Sequence, residues 1–202
     1  MFDVKTALHE LISGEIDNSL RQKGFVLKRK NEFTRTYGDF KQCIYIIFNK
    51  IRGQEAGKIQ VNVAFRHDKL EKLTSELNGE EFRKDWPSAS ICIGYLTEES
   101  EYIQWLLNES SDVKELSNII LEYIDKYAFP FWEKYSTVQA LIDGYINQDI
   151  GLIITGNGYV WRMAAAYWLK GEIENARQTL ERWSQGRPSE EEINRAVEKL
   201  ME

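Results

Sequence analysis

Apolar residues at Val4, Ala7, Leu8, Leu11, Ile12, Ile16 and Leu20 recur at three- and four-residue spacing, which predicts one amphipathic helix with a single buried face. Lys23 and Gly24 supply the usual helix stop, and the period of the pattern then changes. Residues 24–30, 33–37, 40–49 and 58–67 read as four strands, with turns at Lys30-Asn31-Glu32 and Gly38-Asp39 and a mobile loop over residues 52–57. The third run holds CIYIIF without polar alternation, so it is expected to be buried on both faces. The fourth is two-faced: Ile59, Val61, Val63 and Phe65 alternate with Gln60, Asn62, Ala64 and Arg66. One face meets the core and the other meets water, a cavity or a ligand.

Beyond His67, Leu70, Leu73 and Leu77 suggest a short surface helix stopped by Asn78-Gly79, and Trp86-Pro87 reads as a loop. Residues 91–96 and 102–107 are expected as two further strands around a turn at 97–101, although the second also fits a helix. Asp112 with Glu115 forms a capping box before the stripe Val113, Leu116, Ile120, Tyr123, Ile124 and Tyr127, and Pro130 should kink or end that helix.

From Val138 onward only helical spacing remains. Val160, Met163, Ala164, Tyr167, Gly171, Ala176, Leu180, Trp183 and Pro188 fall at the spacings of one tetratricopeptide-like helix pair. A stacked array needs about three such units for a continuous core. The lone pair is therefore expected to pack on the sheet domain, not to display a peptide groove. Ser189 with Glu192 caps a last helix over residues 193–201. The expected class is α+β: an antiparallel sheet packed by helices on one face over residues 1–135, then an all-helical extension over 136–202.

The order of these signals resembles the uncharacterised bacterial family known as domain of unknown function 4304. A leading helix, KGFVLKRKNEFTRTY, an apolar strand, IQVNVAF and a late helix finishing in DKYAFPFWEKY carry the resemblance across residues 1–135. The matching positions are Gly24, Phe25, Phe33, Arg35, Val61, Asn62, Val63, Pro130 and Trp132. The resemblance implies a small α+β domain with helices over one face of an antiparallel sheet. It brings no activity and no catalytic residue.

Composition narrows the classes. At 202 residues, 43% hydrophobic and 29% charged, the chain has an ordinary globular balance and is expected to fold without a partner. Its two cysteines, Cys43 and Cys92, lie inside apolar runs, which suits buried thiols in a reducing compartment better than a disulfide framework. Met1 leads into no basic and apolar leader, and no stretch approaches roughly 18 apolar residues. A cytoplasmic location and no membrane partner are the expectations. The net charge of −6 is unevenly spread: residues 1–67 carry 12 Lys and Arg against 7 Asp and Glu, and the rest carry 14 against 25. Such a bias either marks a site for an acidic partner or draws the two halves together, and the structural explanation is the commoner one.

Most candidate chemistry falls away. His9 and His67 lack a second ligand at metal-binding spacing, and the cysteines lack a helix N-terminus that would lower a thiol pKa. The segment GLIITGNG has the glycines of a phosphate loop, but Asn157 and Gly158 stand where Lys and Ser or Thr are required. It reads as a flexible connection. Glu98-Glu99 and Glu190-Glu191-Glu192 suit solvated turns and first helical turns. No metal or other cofactor is expected. Nucleic acid is disfavoured as well, because Lys28, Arg29 and Lys30 with Phe33 and Tyr37 form only a small basic group in an acidic chain.

One constellation remains. Gln60, Asn62 and Arg66 on the polar face of the fourth strand can align with Arg35 on a neighbouring strand, with Tyr37 and Tyr45 as flanks. Amides, a bidentate cation and aromatic rims compose a recognition patch for an acidic protein or small anion. Plain solvent-facing sheet residues, or polar contacts to the C-terminal helices, are the simpler explanation. The expected function is a non-catalytic bacterial protein-binding or immunity-like protein. The alternative is an enzyme or binding protein for a small anionic ligand held by Arg35 and Arg66, which would need an acid or base that the pattern does not identify.

Overall fold

The computed structural model describes residues 2–153, 158–183 and 189–201. Asp3 caps α1 (Val4–Leu11) by accepting from the Lys5 and Thr6 N–H groups at 3.2 and 3.3 Å. The expected single helix is interrupted by a π-helical turn (Ile12–Ile16), bent at Gly14, before α2 (Asp17–Gln22). Gly24, at φ +84°, then reverses the chain while the Phe25 N–H returns to the Leu20 carbonyl at 3.0 Å. This closing turn seats Phe25, 2% exposed, at the entry to the sheet.

The strands are β1 (Val26–Arg29), β2 (Glu32–Tyr37), β3 (Phe40–Lys50), β4 (Gly57–His67), β5 (Ala89–Cys92) and β6 (Trp105–Leu107). They form an open six-stranded antiparallel sheet in the order β1-β2-β3-β4-β5, with β6 also on β4. The fold is α+β, as the hydrophobic pattern predicts. Phe33 pairs with Ile44 and Arg35 with Gln42, so these four share one face, while Glu32, Thr34, Cys43 and Tyr45 share the other. Burial of β3 on both faces holds over Gln42, Cys43 and Ile44 and fades at Tyr45, Ile47 and Phe48, which are partly exposed.

The two later strands are shorter than expected. The run from Ile91 keeps strand form only to Cys92, and Ile93–Leu96 curls into a 3₁₀ turn. The backbone of residues 101–103 passes so close to Gly94 that a Cβ there would meet the Glu101 carbonyl oxygen at 2.2 Å. Residues 102–104 are irregular, and only Trp105–Leu107 pairs as a strand. Pro130 does not end the late helix. A π-helical turn (Ile124–Ala128) follows α4 (Val113–Tyr123), and α5 (Phe129–Lys134) continues through the proline.

Two compact units emerge, but not as consecutive halves divided at 135. The first comprises residues up to Ala64 with Ile91–Glu133, and the second comprises Phe65–Ser90 with the chain from Lys134 on. In the first, α1, α2, α4 and α5 pack with the sheet around buried Leu11, Leu20, Phe33, Ile44, Val61 and Ile120.

The second unit contains α3 (Asp68–Asn78), α6 (Val138–Ile146), α7 (Ile150–Ile153), α8 (Tyr159–Leu169), α9 (Ile173–Trp183) and α10 (Glu190–Met201). The expected helix pair is the α8–α9 hairpin; of its motif residues, Pro188 and the Trp183 side chain lie outside what the structure describes. α3 is not a surface helix. It packs against α8 and α10, and Leu70 and Leu77 of α3 are fully buried, as are Ala164, Ala165 and Ala166 of α8.

Candidate functional site

Arg35 sits in the middle of β2, on the face of Phe33 and Ile44. Its Nε donates to Gln42 Oε1 at 2.6 Å, and Nη1 donates to the Lys23 carbonyl at the end of α2, at 2.7 Å. Four aromatic rings surround the guanidinium: Phe25 at 4.7 Å, Phe129 at 4.9 Å, and Tyr37 and Trp132 each at 5.9 Å. These distances are those of cation–π contacts. The rings support one another, since Phe129 meets Trp132 edge-on at 5.4 Å and Phe25 lies 5.6 Å from Trp132. Trp132 is fixed in turn by its indole N–H, which donates to the Ala64 carbonyl at 2.8 Å.

The electrostatics of this nest are one-sided. Burial pulls the Arg35 pKa below the ordinary guanidinium value, and Tyr37 only partly offsets it. Lys23, 5.6 Å from the Phe129 ring, has a carboxylate partner in Asp125. Arg35 has none among the described residues, and its Nη2 keeps donors unused after Gln42 and Lys23 are served. Tyr37, 60% exposed, forms the rim. The arrangement can accept a carboxylate or another planar anion on a preset, aromatic-backed fork. It cannot move a proton, because a guanidinium stays protonated.

The five residues expected to form one patch are divided among three places. Arg35 and Tyr37 belong to the nest. Gln60 and Asn62 lie on the polar face of β4, where Gln60 Nε2 donates to Asn62 Oδ1 at 2.6 Å. Gln60 Oε1 accepts from the Tyr102 hydroxyl, which itself accepts from Gln104 Nε2 at 2.9 Å. Their amides are thus largely committed to one another and to two partners that strand alternation did not indicate. Tyr45, proposed as a flank, is half-buried beside Cys43; burial raises its hydroxyl pKa well above the usual phenol range.

Arg66 is in the second unit and is 4% exposed. Its Nε donates to Asp68 at 2.5 Å, its Nη1 to the carbonyls of Arg83 (2.9 Å) and Trp86, and the Phe82 ring lies 5.2 Å away. Arg66 ties down the irregular segment after α3, a task for which five donors in a fixed fork are suited. Arg35, its expected partner, belongs to the first unit. Neighbouring His67 caps α3, its Nδ1 accepting from the Leu70 N–H at 3.1 Å.

Phe25, Phe129 and Trp132 are the functional residues that sequence reasoning missed as a frame for Arg35. The runs KGF and FPFW contain them, but no spacing rule joins positions so far apart. Of the GLIITGNG segment, residues 151–153 end α7, Gly158 precedes α8, and residues 154–157 lie outside the description. A concavity of about 790 Å³ lies over the first turns of α10 and is lined by Ser189, Glu190, Glu191 and Glu192 among others. Helix capping accounts for Ser189 and Glu192, whose N–H and carboxylate bond at 2.7 Å. Among the described residues no group of His, Cys, Asp and Glu could hold a metal ion, and no helix is long and apolar enough to cross a membrane.

Comparison with protein-family models, curated proteins and solved structures finds no match to this chain.

Proposed function

We propose that this chain is a non-catalytic interaction protein whose first unit recognises a partner protein by accepting an acidic side chain of that partner at Arg35. The observation that carries this is the half-buried guanidinium stacked among four rings without a carboxylate among the described residues. A cation taken partly out of water is an unfavourable arrangement unless an anion completes it. A partner carboxylate on the open fork would do so with charge-assisted hydrogen bonds, about twice as strong as neutral ones. Arg, Tyr and Trp are also the side chains over-represented at the energetic centres of protein interfaces.

An immunity-like role, in which the partner is a protein to be neutralised, fits within this proposal. So does kinship with the bacterial domain of unknown function 4304 family, supported by the helix, strand and FPFW order. Two buried, unpaired thiols, Cys43 and Cys92, support a reducing, cytoplasmic location. A small anionic ligand held between Arg35 and Arg66 draws no support from the geometry, since Arg66 is buried and engaged elsewhere.

Quantitative capture from native lysate with the wild-type chain and with Arg35→Lys tests the proposal. A protein recovered at stoichiometric amounts by the wild type and lost with the lysine variant, at an unchanged fold by circular dichroism, is the expected result. Equal recovery by both chains would remove Arg35 from the interface.

A further inference from the structure

The first unit carries a second surface of opposite chemistry. Trp105 of β6 meets Tyr123 of α4 edge-on at 5.3 Å, and Tyr123 lies 5.5 Å from Tyr127. Tyr95 and Tyr102 form another pair at 6.4 Å. The 3₁₀ turn that holds Tyr95 packs on the π-helical turn that holds Tyr127. All five rings are at least partly open, and Tyr102 is 50% exposed; Leu106 lies on the other face of β6 from Trp105, opposite Lys58.

The surroundings of this strip are acidic. Residues 98–101 expose Glu98, Glu99 and Glu101, and along the chain residues 91–133 carry nine Asp and Glu against Lys114 and Lys126, with Lys58 of β4 opposite Leu106 on the other face of β6. Lys126 already shows how a cation sits there: its ammonium stands 5.0 Å from the centre of the Tyr127 ring, and its pKa is raised first by the Tyr127 hydroxyl and further by Glu98 and Glu99. Ring faces attract cations, and carboxylates beside them reinforce the attraction. The same carboxylates repel phosphate, which turns the strip away from nucleic acid and anionic lipid.

We propose that the Trp105–Tyr123–Tyr127 strip, with Tyr102 and the glutamates at 98–101, docks a basic segment of a partner protein by stacking its Arg or Lys side chains. Nothing in it depends on Arg35, which selects the opposite charge.

The full-length ¹⁵N-labelled protein titrated with acetyl-Arg-Gly-Arg-Gly-Arg-amide tests it by NMR. Saturable movement of the Trp105 indole signal and of the 98–102 amides is expected, with affinity about tenfold weaker when citrulline replaces arginine. Glu98→Gln with Glu99→Gln and Glu101→Gln, all on exposed positions, should weaken binding similarly, and Tyr102→Ala should do so without touching the charges. Equal binding of the citrulline peptide, an unaffected triple variant, or no saturable shift would overturn the proposal. So would concentration-dependent broadening of the strip without peptide, since that would make a second copy of the chain its occupant.

Discussion

The Arg35 guanidinium stands 4.9 Å from the centre of the Phe129 ring and donates to the Lys23 carbonyl, so one cation ties β2 to α5 and to the end of α2. The proposed recognition role and a stabilising role therefore meet in the same side chain, and the two separate by substitution. Gln42, 4% exposed, depends on Arg35 for a partner to its amide oxygen. Arg35→Met should cost about 1–3 kcal/mol in urea unfolding, chiefly by leaving that buried acceptor unpaired. Adding Gln42→Met should recover most of the loss. A double variant destabilised by the sum of its parts would show that the loss lies elsewhere.

Trp132 holds the aromatic frame through one hydrogen bond to the Ala64 carbonyl. Trp132→Phe keeps a ring and removes the donor, so the expected loss is about 1–3 kcal/mol, together with weaker binding at Arg35 because its stacking partner is less fixed. Chemical denaturation and partner affinity, measured on the same variant, should change together. Lost stability with unchanged affinity would make Trp132 purely structural.

In the second unit, Glu71 and Arg162 form a two-pronged ion pair at 2.9 and 3.3 Å with side chains only 8% and 12% exposed. Removing one partner strands a buried charge. Arg162→Met should therefore cost about 3–5 kcal/mol. The neighbouring Tyr145 hydroxyl is buried without a hydrogen-bond partner among the described residues, and its pKa lies well above the usual phenol range because of that burial. Tyr145→Phe should be neutral or stabilising by up to about 1 kcal/mol. A thermal melt that falls markedly for Tyr145→Phe would mean the hydroxyl has a partner.

Much of the first unit was legible because period-two and three-and-four patterns report which face a side chain occupies. The Val4 to Leu20 stripe appears as helix on either side of a π-helical turn, the alternation from Ile59 holds as far as Val63, beyond which both faces of β4 are buried, and the Asp112–Glu115 cap is present. Alternation does not report what covers a face. Gln60 and Arg66 therefore look equivalent in sequence, yet one bonds Tyr102 while the other is buried by the segment after α3. For the same reason the assignment of residues 65–90 to the second unit was not legible: it rests on packing of α3 against α8 and α10. The Arg35 nest is a third case, assembled from positions that only the tertiary fold brings together.

Burial pushes the Cys43 thiol up to about 11 from its ordinary 9.0. The raised value stabilises the neutral thiol in the folded state, so this contribution is fully present below pH 9 and is lost as pH rises through about 11. Two outcomes follow. Cys43, 5% exposed, should resist alkylation at pH 8 until the chain unfolds, and Cys43→Ser should flatten the fall in stability above pH 9. Rapid native-state labelling of Cys43 by mass spectrometry would contradict this.

The most direct test of anion recognition is the Arg35 Nε–H resonance, followed by ¹H–¹⁵N NMR while acetyl-Glu-Gly-Glu-amide is added, with the corresponding glutamine peptide as control. The account predicts a saturable shift of that resonance and of the Tyr37 amide with the carboxylate peptide, and no shift with the amide. Identical responses to both peptides, or an Arg35 signal that never moves while carboxylate is raised, would contradict it.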